Sequence, residues 1–200
     1  MLEVLIVIVV AYLIGSLSFA VILSRVSGLP DPRSYGSGNP GATNVLRSGR
    51  KSVAALTLLG DALKGAVAVL LAQWATQVWG LPSYAPALAG LAAFVGHLWP
   101  VFFGFKGGKG VATALGLLMA LNPWLGFACA ASWLLVFLLT RVSSLSALVA
   151  AGLAPVYVWW LSGQGVDTLA ILGVALLIFW RHKANIGRLL RGEEAGFKRS

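Results

Sequence analysis

Apolar residues occur along this chain in long runs that short polar connections separate. A helix that crosses the hydrocarbon core of a membrane needs roughly 20 mainly apolar residues. Most runs approach that length, so the pattern predicts membrane-spanning helices. The seven predicted segments are 2–24, 51–78, 84–103, 110–121, 123–140, 145–161 and 166–180. The fourth segment is short for a full span, and a re-entrant or partial helix is the alternative there.

Composition supports the same class of protein. Hydrophobic residues make up 58% of the 200 residues and charged residues only 10%, whereas a soluble domain carries about a quarter charged residues. A soluble enzyme, a disordered chain and a disulfide scaffold are therefore excluded. The single cysteine, Cys129, lies in an apolar run and allows no intrachain disulfide. With only two histidines and no supporting carboxylate cluster, we expect no metal and no cofactor.

The net charge of +9 could by itself indicate a nucleic-acid binder. However, 14 of the 15 Lys and Arg residues fall on alternate connections between the apolar segments, and Lys64 lies inside the second segment. Basic connections face the cytoplasm. The charge therefore predicts an all-α bundle of seven transmembrane helices with the N-terminus outside and the C-terminus in the cytoplasm. No nucleic acid is needed to explain it.

The chain is predicted to form one transmembrane domain over residues 1–191. A short, mobile, charged cytoplasmic tail over 192–200 is expected to follow it. The N-terminus lacks the basic start and small-residue cleavage site of a signal peptide, so its first segment is interpreted as a retained helix.

The first cytoplasmic connection combines glycines, small polar side chains and an arginine. The glycines permit tight turns and close approach to a ligand, and the arginine suits a phosphate. An ordinary solvated loop is the alternative, and we favour a ligand loop. The residues concerned are Gly36, Ser37, Gly38, Asn39, Gly41, Thr43, Asn44 and Arg47.

The second cytoplasmic connection, 104–110, holds four glycines and Lys106 and Lys109. Successive backbone amides in such a run can hold an anion that lysines neutralise. The spacing is not that of a Walker loop. A basic loop attracted to anionic lipid would explain the lysines and leave the glycines unexplained.

Ionisable and polar residues also occur near the ends of apolar segments. His182 and Asn185 share a face if the last helix continues past residue 180, although a basic helix end explains the neighbouring arginines. For His97, an interfacial residue is the favoured interpretation. Asp61 and Lys64 form either an internal ion pair or a functional group, and we weight these alternatives equally.

These motifs resemble, over nearly the whole chain, the bacterial acyl-phosphate:glycerol-3-phosphate acyltransferase family. The resemblance rests on three motifs in the same order: 36–47, 96–110, and Arg181-His182 with Asn185. It implies a membrane enzyme of phospholipid biosynthesis in the bacterial inner (cytoplasmic) membrane, with its active site facing the cytoplasm. The enzyme transfers an acyl group from acyl phosphate to the 1-hydroxyl of glycerol 3-phosphate, giving lysophosphatidic acid and phosphate. Pro40 departs from the family and stiffens the loop without removing a ligand group.

The resemblance and the chemistry of the residues together assign the site. The resemblance implies that Lys106, His182 and Asn185 are the catalytic residues. Glycerol 3-phosphate is expected to bind Ser37, Asn39, Asn44, Arg47, Lys106, Ser144 and Arg188. Acyl phosphate is expected to bind Gly36, Gly38, Gly41, His97, Gly104, Gly107, Gly108, Lys109 and Gly110. Membrane lipids are the other partners, and no obligatory protein partner is implied.

Acyl phosphate is already activated, so the reaction needs no covalent enzyme intermediate and can proceed by positioning and charge stabilisation. The general base is either His182, whose ordinary pKa suits the role, or an oxygen of the substrate phosphate. Two other classes of protein remain open at this point: a small transporter or channel for an anionic metabolite, and a lipid-binding membrane scaffold.

Overall fold

A computed structural model describes residues 1–162 and 165–197, which form helices and connections and contain no β-strand. The helices group into two compact units, Met1–Leu121 and the chain from Asn122 onward. The prediction of an all-α fold is confirmed. The prediction that 1–191 act as a single domain stays a prediction.

The first unit contains a short helix that the sequence did not predict and a break inside the first apolar segment. Its α-helices are α1 (Leu2–Gly15), α2 (Phe19–Val26), α3 (Ala42–Leu46), α4 (Lys51–Trp79), α5 (Ala85–Leu98) and α6 (Val111–Leu121). Residues 16–18 separate α1 from α2, where Ser18 leaves the helical conformation with φ −90° and ψ 93°. Helix α3 lies within the first polar connection.

Glycines bring the helices of the first unit into close backbone contact. A Cβ atom at Gly15 of α1 would overlap the backbone of Ala93 in α5, and one at Gly116 of α6 would overlap the backbone of Ala62 in α4. Small residues permit such an approach because apolar association in lipid depends on van der Waals contact. These contacts hold α1 against α5 and α4 against α6.

The second unit consists of α7 (Pro123–Thr140), α8 (Ser143–Ser162), α9 (Val166–Arg181) and α10 (Lys183–Leu190). Helix α7 begins with a proline in its first turn, and the Asn122 side chain accepts a hydrogen bond from the Trp124 amide at 2.9 Å. Helices α9 and α10 meet at a bend of 61°. Helix α9 ends at Arg181 because the backbone leaves the helical conformation at His182, so no single continuous helix carries both His182 and Asn185.

Each predicted apolar segment coincides with helix. By length and composition, five helical segments of the described part could cross a membrane: Leu2–Val26, Lys51–Trp79, Ala85–Phe103, Pro123–Thr140 and Ser143–Leu161. The bent pair formed by α9 and α10 would make a sixth. Helix α6 has only 11 residues and falls below the length of a span.

Candidate functional site

Asn44 organises the first polar loop from a buried position in α3. Its side-chain nitrogen donates to the carbonyl oxygens of Pro32 at 2.7 Å and Tyr35 at 3.1 Å. Its side-chain oxygen accepts from the backbone amide of Ser37 at 3.0 Å. Because the loop backbone already uses both ends of the amide, Asn44 shapes the loop rather than projecting from it.

Gly36 allows the loop to fold over Asn44. Its φ of +59° lies in the left-handed region, and a Cβ atom there would overlap the Asn44 side chain. Ser37 and Arg47, both expected to bind phosphate, are exposed on this loop, and Asn39 is half-buried. The two residues expected to bind phosphate therefore lie at the surface of a loop, and Gly36 and Asn44 determine the shape of that loop.

Arg33 connects the first polar loop to the second, a role that the sequence analysis missed. Its guanidinium forms an ion pair with Asp31 at 2.7 Å, and its Nη1 donates to the Phe103 carbonyl at 3.0 Å. The side-chain hydrogen bond from Arg33 lowers the pKa of Asp31. Sequence could not show this contact, because 70 residues separate Arg33 from Phe103.

Lys106 borders an open cavity of about 710 Å³ between these two loops. The cavity lining is mixed in character, with one ion pair, one further base and two aromatic rings. The lining residues are Asp31, Arg33, Ser34, Phe102, Phe103, Gly104 and Lys106. The exposed lysine thus lies where an anionic molecule can reach it from solvent.

The glycines of the second loop are needed for packing as well as for any anion contact. Cβ atoms at Gly107 and Gly108 would overlap the backbone and ring of His97, and one at Gly110 would overlap the ring of Phe94. The Gly108 amide donates to the His97 carbonyl at 3.2 Å. This close packing explains why the loop contains glycines, which attraction of a basic loop to anionic lipid does not explain. Lys109 therefore follows residues whose backbone position is fixed.

In the second unit, the bend between α9 and α10 places His182 in a buried position. Its Nδ1 lies 2.8 Å from the carbonyl oxygen of Ile178. Only a protonated Nδ1 can donate to a carbonyl, so the neutral ring carries its lone pair on Nε2. This is the tautomer that a general base acting through Nε2 requires.

Glu194, which the sequence analysis assigned to a mobile tail, joins three of the predicted site residues. Its Oε1 accepts from Ser144 Oγ at 2.7 Å and Asn185 Nδ2 at 2.5 Å. Its Oε2 accepts from Arg188 Nε at 2.6 Å. We call Ser144, Asn185, Arg188 and Glu194 the carboxylate cluster.

The charge of Glu194 is stabilised by this arrangement. Burial alone would raise its pKa, but the hydrogen bonds of the carboxylate cluster outweigh burial and lower the pKa below that of an ordinary glutamate. The carboxylate is thus ionised at neutral pH and holds the donors around it.

The rest of the described tail also contacts the second unit. The Phe197 amide donates to the Arg141 carbonyl at 3.0 Å, and the Phe197 ring meets that of Phe137 edge-on at 5.6 Å between centroids. Over residues 192–197 these contacts differ from the mobile tail that the composition predicts, and residues 198–200 of that tail lie outside the described residues. The physical reason is that the Glu194 carboxylate and the Phe197 ring both contact side chains of the preceding helices.

The predicted site residues are distributed over both units. The first unit contains Gly36, Ser37, Gly38, Asn39, Gly41, Asn44, Arg47, His97, Gly104, Lys106, Gly107, Gly108, Lys109 and Gly110. The second contains Ser144, His182, Asn185 and Arg188. Within the second unit, the structure brings Ser144, Asn185 and Arg188 together on one carboxylate.

These features define a class of protein: a helical membrane protein with glycine-rich basic loops suited to phosphate groups. Comparison with known proteins agrees. The family model described as glycerol-3-phosphate acyltransferase matches residues 5–192. A glycerol-3-phosphate acyltransferase of Thiobacillus denitrificans is 62% identical over 96% of each chain. One of Chromobacterium violaceum is 57% identical over 92% of this chain and 90% of its own.

Solved structures are also similar to this chain. The crystal structure of PlsY (YgiH), an integral membrane glycerol 3-phosphate acyltransferase, in its glycerol 3-phosphate form matches with a TM-score of 0.90 and 38% identity, over 98% of this chain and 96% of that one. Its lysophosphatidic acid form matches with a TM-score of 0.88 and 37% identity, over 98% and 95%. The chain belongs to the glycerol-3-phosphate acyltransferase family and is an integral membrane protein.

Proposed function

We propose that this protein transfers a fatty acyl group from acyl phosphate to the 1-hydroxyl of glycerol 3-phosphate. The products are lysophosphatidic acid and inorganic phosphate, and the reaction belongs to phospholipid biosynthesis. The observation that carries the proposal is the 62% identity to a glycerol-3-phosphate acyltransferase over 96% of each chain. The similar solved structures are named for the same substrate and for lysophosphatidic acid.

The proposal includes an orientation in the bacterial inner membrane. Seven spans, with α6 as the short fourth, put the N-terminus outside and the C-terminus in the cytoplasm. The alternation of 14 of the 15 basic residues supports this arrangement. Both polar loops of the first unit and the carboxylate cluster then face the cytoplasm, where the two anionic substrates are dissolved or presented.

In the first unit, Ser37, Arg47 and Lys106 are assigned to glycerol 3-phosphate. All three are exposed, and two carry a positive charge. Asn39 is assigned to the same substrate, whereas Asn44 contributes by holding the loop. The second loop, with Lys109 and its glycines, is assigned to acyl phosphate, and His97 supports its backbone. Gly36, Gly38, Gly41 and Gly104 give the loops their shape.

In the second unit, we infer the contact of each predicted residue with glycerol 3-phosphate from the atoms that its bond to Glu194 leaves available. Arg188 uses Nε for Glu194, and its two Nη groups are assigned to the phosphate. Ser144 donates its hydroxyl hydrogen to Glu194, so its oxygen is assigned as an acceptor for a glycerol hydroxyl. Asn185 is assigned to the reacting hydroxyl, with Glu194 fixing the plane of its amide.

The reaction forms one ester bond and breaks one mixed-anhydride bond. The 1-hydroxyl oxygen attacks the acyl carbonyl carbon, and the bond between that carbon and the phosphate oxygen breaks. Phosphate leaves with the electron pair, and the hydroxyl proton passes to His182 Nε2 or to a phosphate oxygen. Lys106 and Lys109 stabilise the negative charge that develops on the phosphate groups.

The test uses the purified full-length protein in detergent, supplied with palmitoyl phosphate and glycerol 3-phosphate. We expect release of phosphate and formation of lysophosphatidic acid in equal amounts. Palmitoyl-CoA and palmitoyl-acyl carrier protein, given instead of palmitoyl phosphate, should support no direct transfer. A folded sample that releases no phosphate would overturn the enzyme proposal and favour anion transport or lipid binding.

Two variants test the assigned roles. Lys106→Ala should abolish or severely reduce turnover, whereas Lys51→Ala, a matched change at an exposed lysine outside both loops, should not. Near-normal kinetics for folded Lys106→Ala would contradict the assignment. His182→Ala should slow turnover by about two to four orders of magnitude if His182 is the only base. A loss below about tenfold would identify the substrate phosphate as proton acceptor.

A further inference from the structure

Two buried ionisable side chains of the first unit, Asp61 and Lys64, have no role in the proposed mechanism and form a network with His97. Asp61 Oδ1 lies 2.9 Å from Lys64 Nζ on α4 and 3.6 Å from His97 Nδ1 on α5. The exposed fractions of these residues are 3%, 3% and 7%. Ionisable groups at membrane depth are costly and mark function more often than they serve packing.

Lys64 anchors the network to the break between α1 and α2. Its Nζ donates to the carbonyl oxygen of Leu17 at 2.6 Å. A helix break at membrane depth leaves backbone carbonyls without their usual partners, and each unsatisfied group is destabilising there. Lys64 supplies the missing donor there, and Asp61 balances its charge.

His97 connects the network to the glycine loop. Its carbonyl accepts from the Gly108 amide at 3.2 Å, and its ring lies directly against Gly108, where a Cβ atom would overlap Nε2. A Cβ atom at Gly107 would likewise overlap the carbonyl oxygen of His97. The ring thus lies between the Asp61 carboxylate, near one nitrogen, and the loop, against the other.

We propose that Asp61 and Lys64 are positioning residues for acyl transfer, which act by holding His97 and, through it, the loop at Gly107 and Gly108. The inference rests on the proposed function, which assigns this loop to acyl phosphate. A displacement of a substrate-binding group by about 1 Å can reduce the rate by about 100-fold. A buried network that fixes the position of this loop therefore controls the binding of acyl phosphate without contacting it.

The competing interpretation is an ion pair that only neutralises two charges inside the fold. Replacing a buried ion pair by apolar side chains of similar volume is often neutral or stabilising. The double variant D61L/K64M therefore separates the two interpretations, since it removes both charges together. If the pair only neutralises charge, the folded variant keeps its kinetic constants, although the loss of the Lys64 donor to the Leu17 carbonyl lowers its stability.

The experiment measures kcat and both KM values for D61L/K64M beside wild type, with folding checked by thermal unfolding in detergent. We expect the KM for palmitoyl phosphate to rise by about 10- to 100-fold, while the KM for glycerol 3-phosphate changes little. A rise in the KM for glycerol 3-phosphate instead supports the positioning role but contradicts the assignment of the loop to acyl phosphate. Unchanged kinetics in folded protein overturn the positioning role.

Two further variants complete the test. T57V is the matched control, because Thr57 is buried on the same helix and its hydroxyl bonds only to its own helix at Val53 O. It should leave both KM values unchanged. If D61L/K64M does not fold, D61N/K64Q replaces it, since its glutamine can still donate to Leu17. We expect a smaller rise in the same KM, and no rise overturns the proposal.

The route through His97 is tested by non-additivity. His97→Asn removes the ring atoms next to Gly108, so the loop loses its support whatever happens at Asp61. Adding D61L/K64M to His97→Asn should therefore raise the KM no further. A full additional rise would show that Asp61 and Lys64 act by another route and would overturn this part of the inference.

Discussion

The carboxylate of Glu194 provides the sharpest test of how the second unit is held together. The substitution E194A removes the acceptor of three hydrogen bonds, from Ser144, Asn185 and Arg188, at 2.7, 2.5 and 2.6 Å. The Glu194 side chain is only 9% exposed, whereas that of Arg188 is 40% exposed. The bonds to Ser144 and Asn185 therefore act in a protected environment, and the ion pair with Arg188 is screened by solvent.

The magnitude follows from these three contacts. Two hydrogen bonds to a charged group contribute about 3–6 kcal/mol together. An ion pair with a partner this exposed adds at most about 1 kcal/mol. Release of a short stretch of tail returns about 2 kcal/mol of conformational entropy. We therefore expect E194A to lower the free energy of unfolding by about 1–5 kcal/mol.

The assay is unfolding of the purified protein in detergent, followed by tryptophan fluorescence. The adjacent carboxylate supplies the matched control, because Glu193 pairs with Arg191 and both side chains are more than half exposed. E193A should change the free energy of unfolding by less than about 0.5 kcal/mol. If E194A destabilised the protein no more than E193A does, the reasoning about the carboxylate cluster would be refuted.

Other consequences can be measured on the same preparation. The lowered pKa of Glu194 means that its contribution to stability is present above the ordinary glutamate value of 4.5 and is lost as the pH falls below it. Between about pH 5 and pH 3, wild type should thus lose more stability than E194Q, and parallel pH curves would contradict this. G36A should destabilise the protein more than G49A. Both glycines have a positive φ, but only at Gly36 would a Cβ atom overlap a neighbour, Asn44. Equal melting temperatures of the two variants would contradict this prediction. N122A should cost about 1 kcal/mol by uncapping α7, measured as a lower melting temperature, and no change would show that the cap is dispensable.

The sequence predicted the helices better than their interruptions. Seven apolar segments correspond to helix because hydropathy over a span-length window is a strong signal in membranes. The break at 16–18 escaped prediction because it lies within an apolar run, whereas the bend at His182 lies just past the predicted end of the seventh segment at residue 180. Lys64 illustrates the difficulty: its contact with Leu17 O is what makes the break tolerable, and 47 residues separate the two.

Residue types in the loops indicated phosphate chemistry, but their tasks became clear only in three dimensions. Asn44 was expected to bind substrate, and the structure shows its amide bonded to the loop backbone. Glu194 was expected to belong to a mobile tail, and the structure shows its carboxylate accepting a hydrogen bond from Ser144, which lies 50 residues earlier. A single acid in a charged tail has no periodic pattern, so local sequence gives no signal for such a contact.

The pairing of Asp61 with Lys64 also bears on how the chain enters the membrane. The two residues are three positions apart on α4, and their ion pair of 2.9 Å is local to that helix. An ionised residue at the centre of an inserting segment costs about 2.5–3.5 kcal/mol on insertion scales. Helix α4 carries its own counter-ion, so the two charges at membrane depth cancel within one segment when it passes from the insertion machinery to lipid, while Lys51 lies at its end. Its insertion during synthesis then does not have to await α5, which follows it along the chain and carries His97.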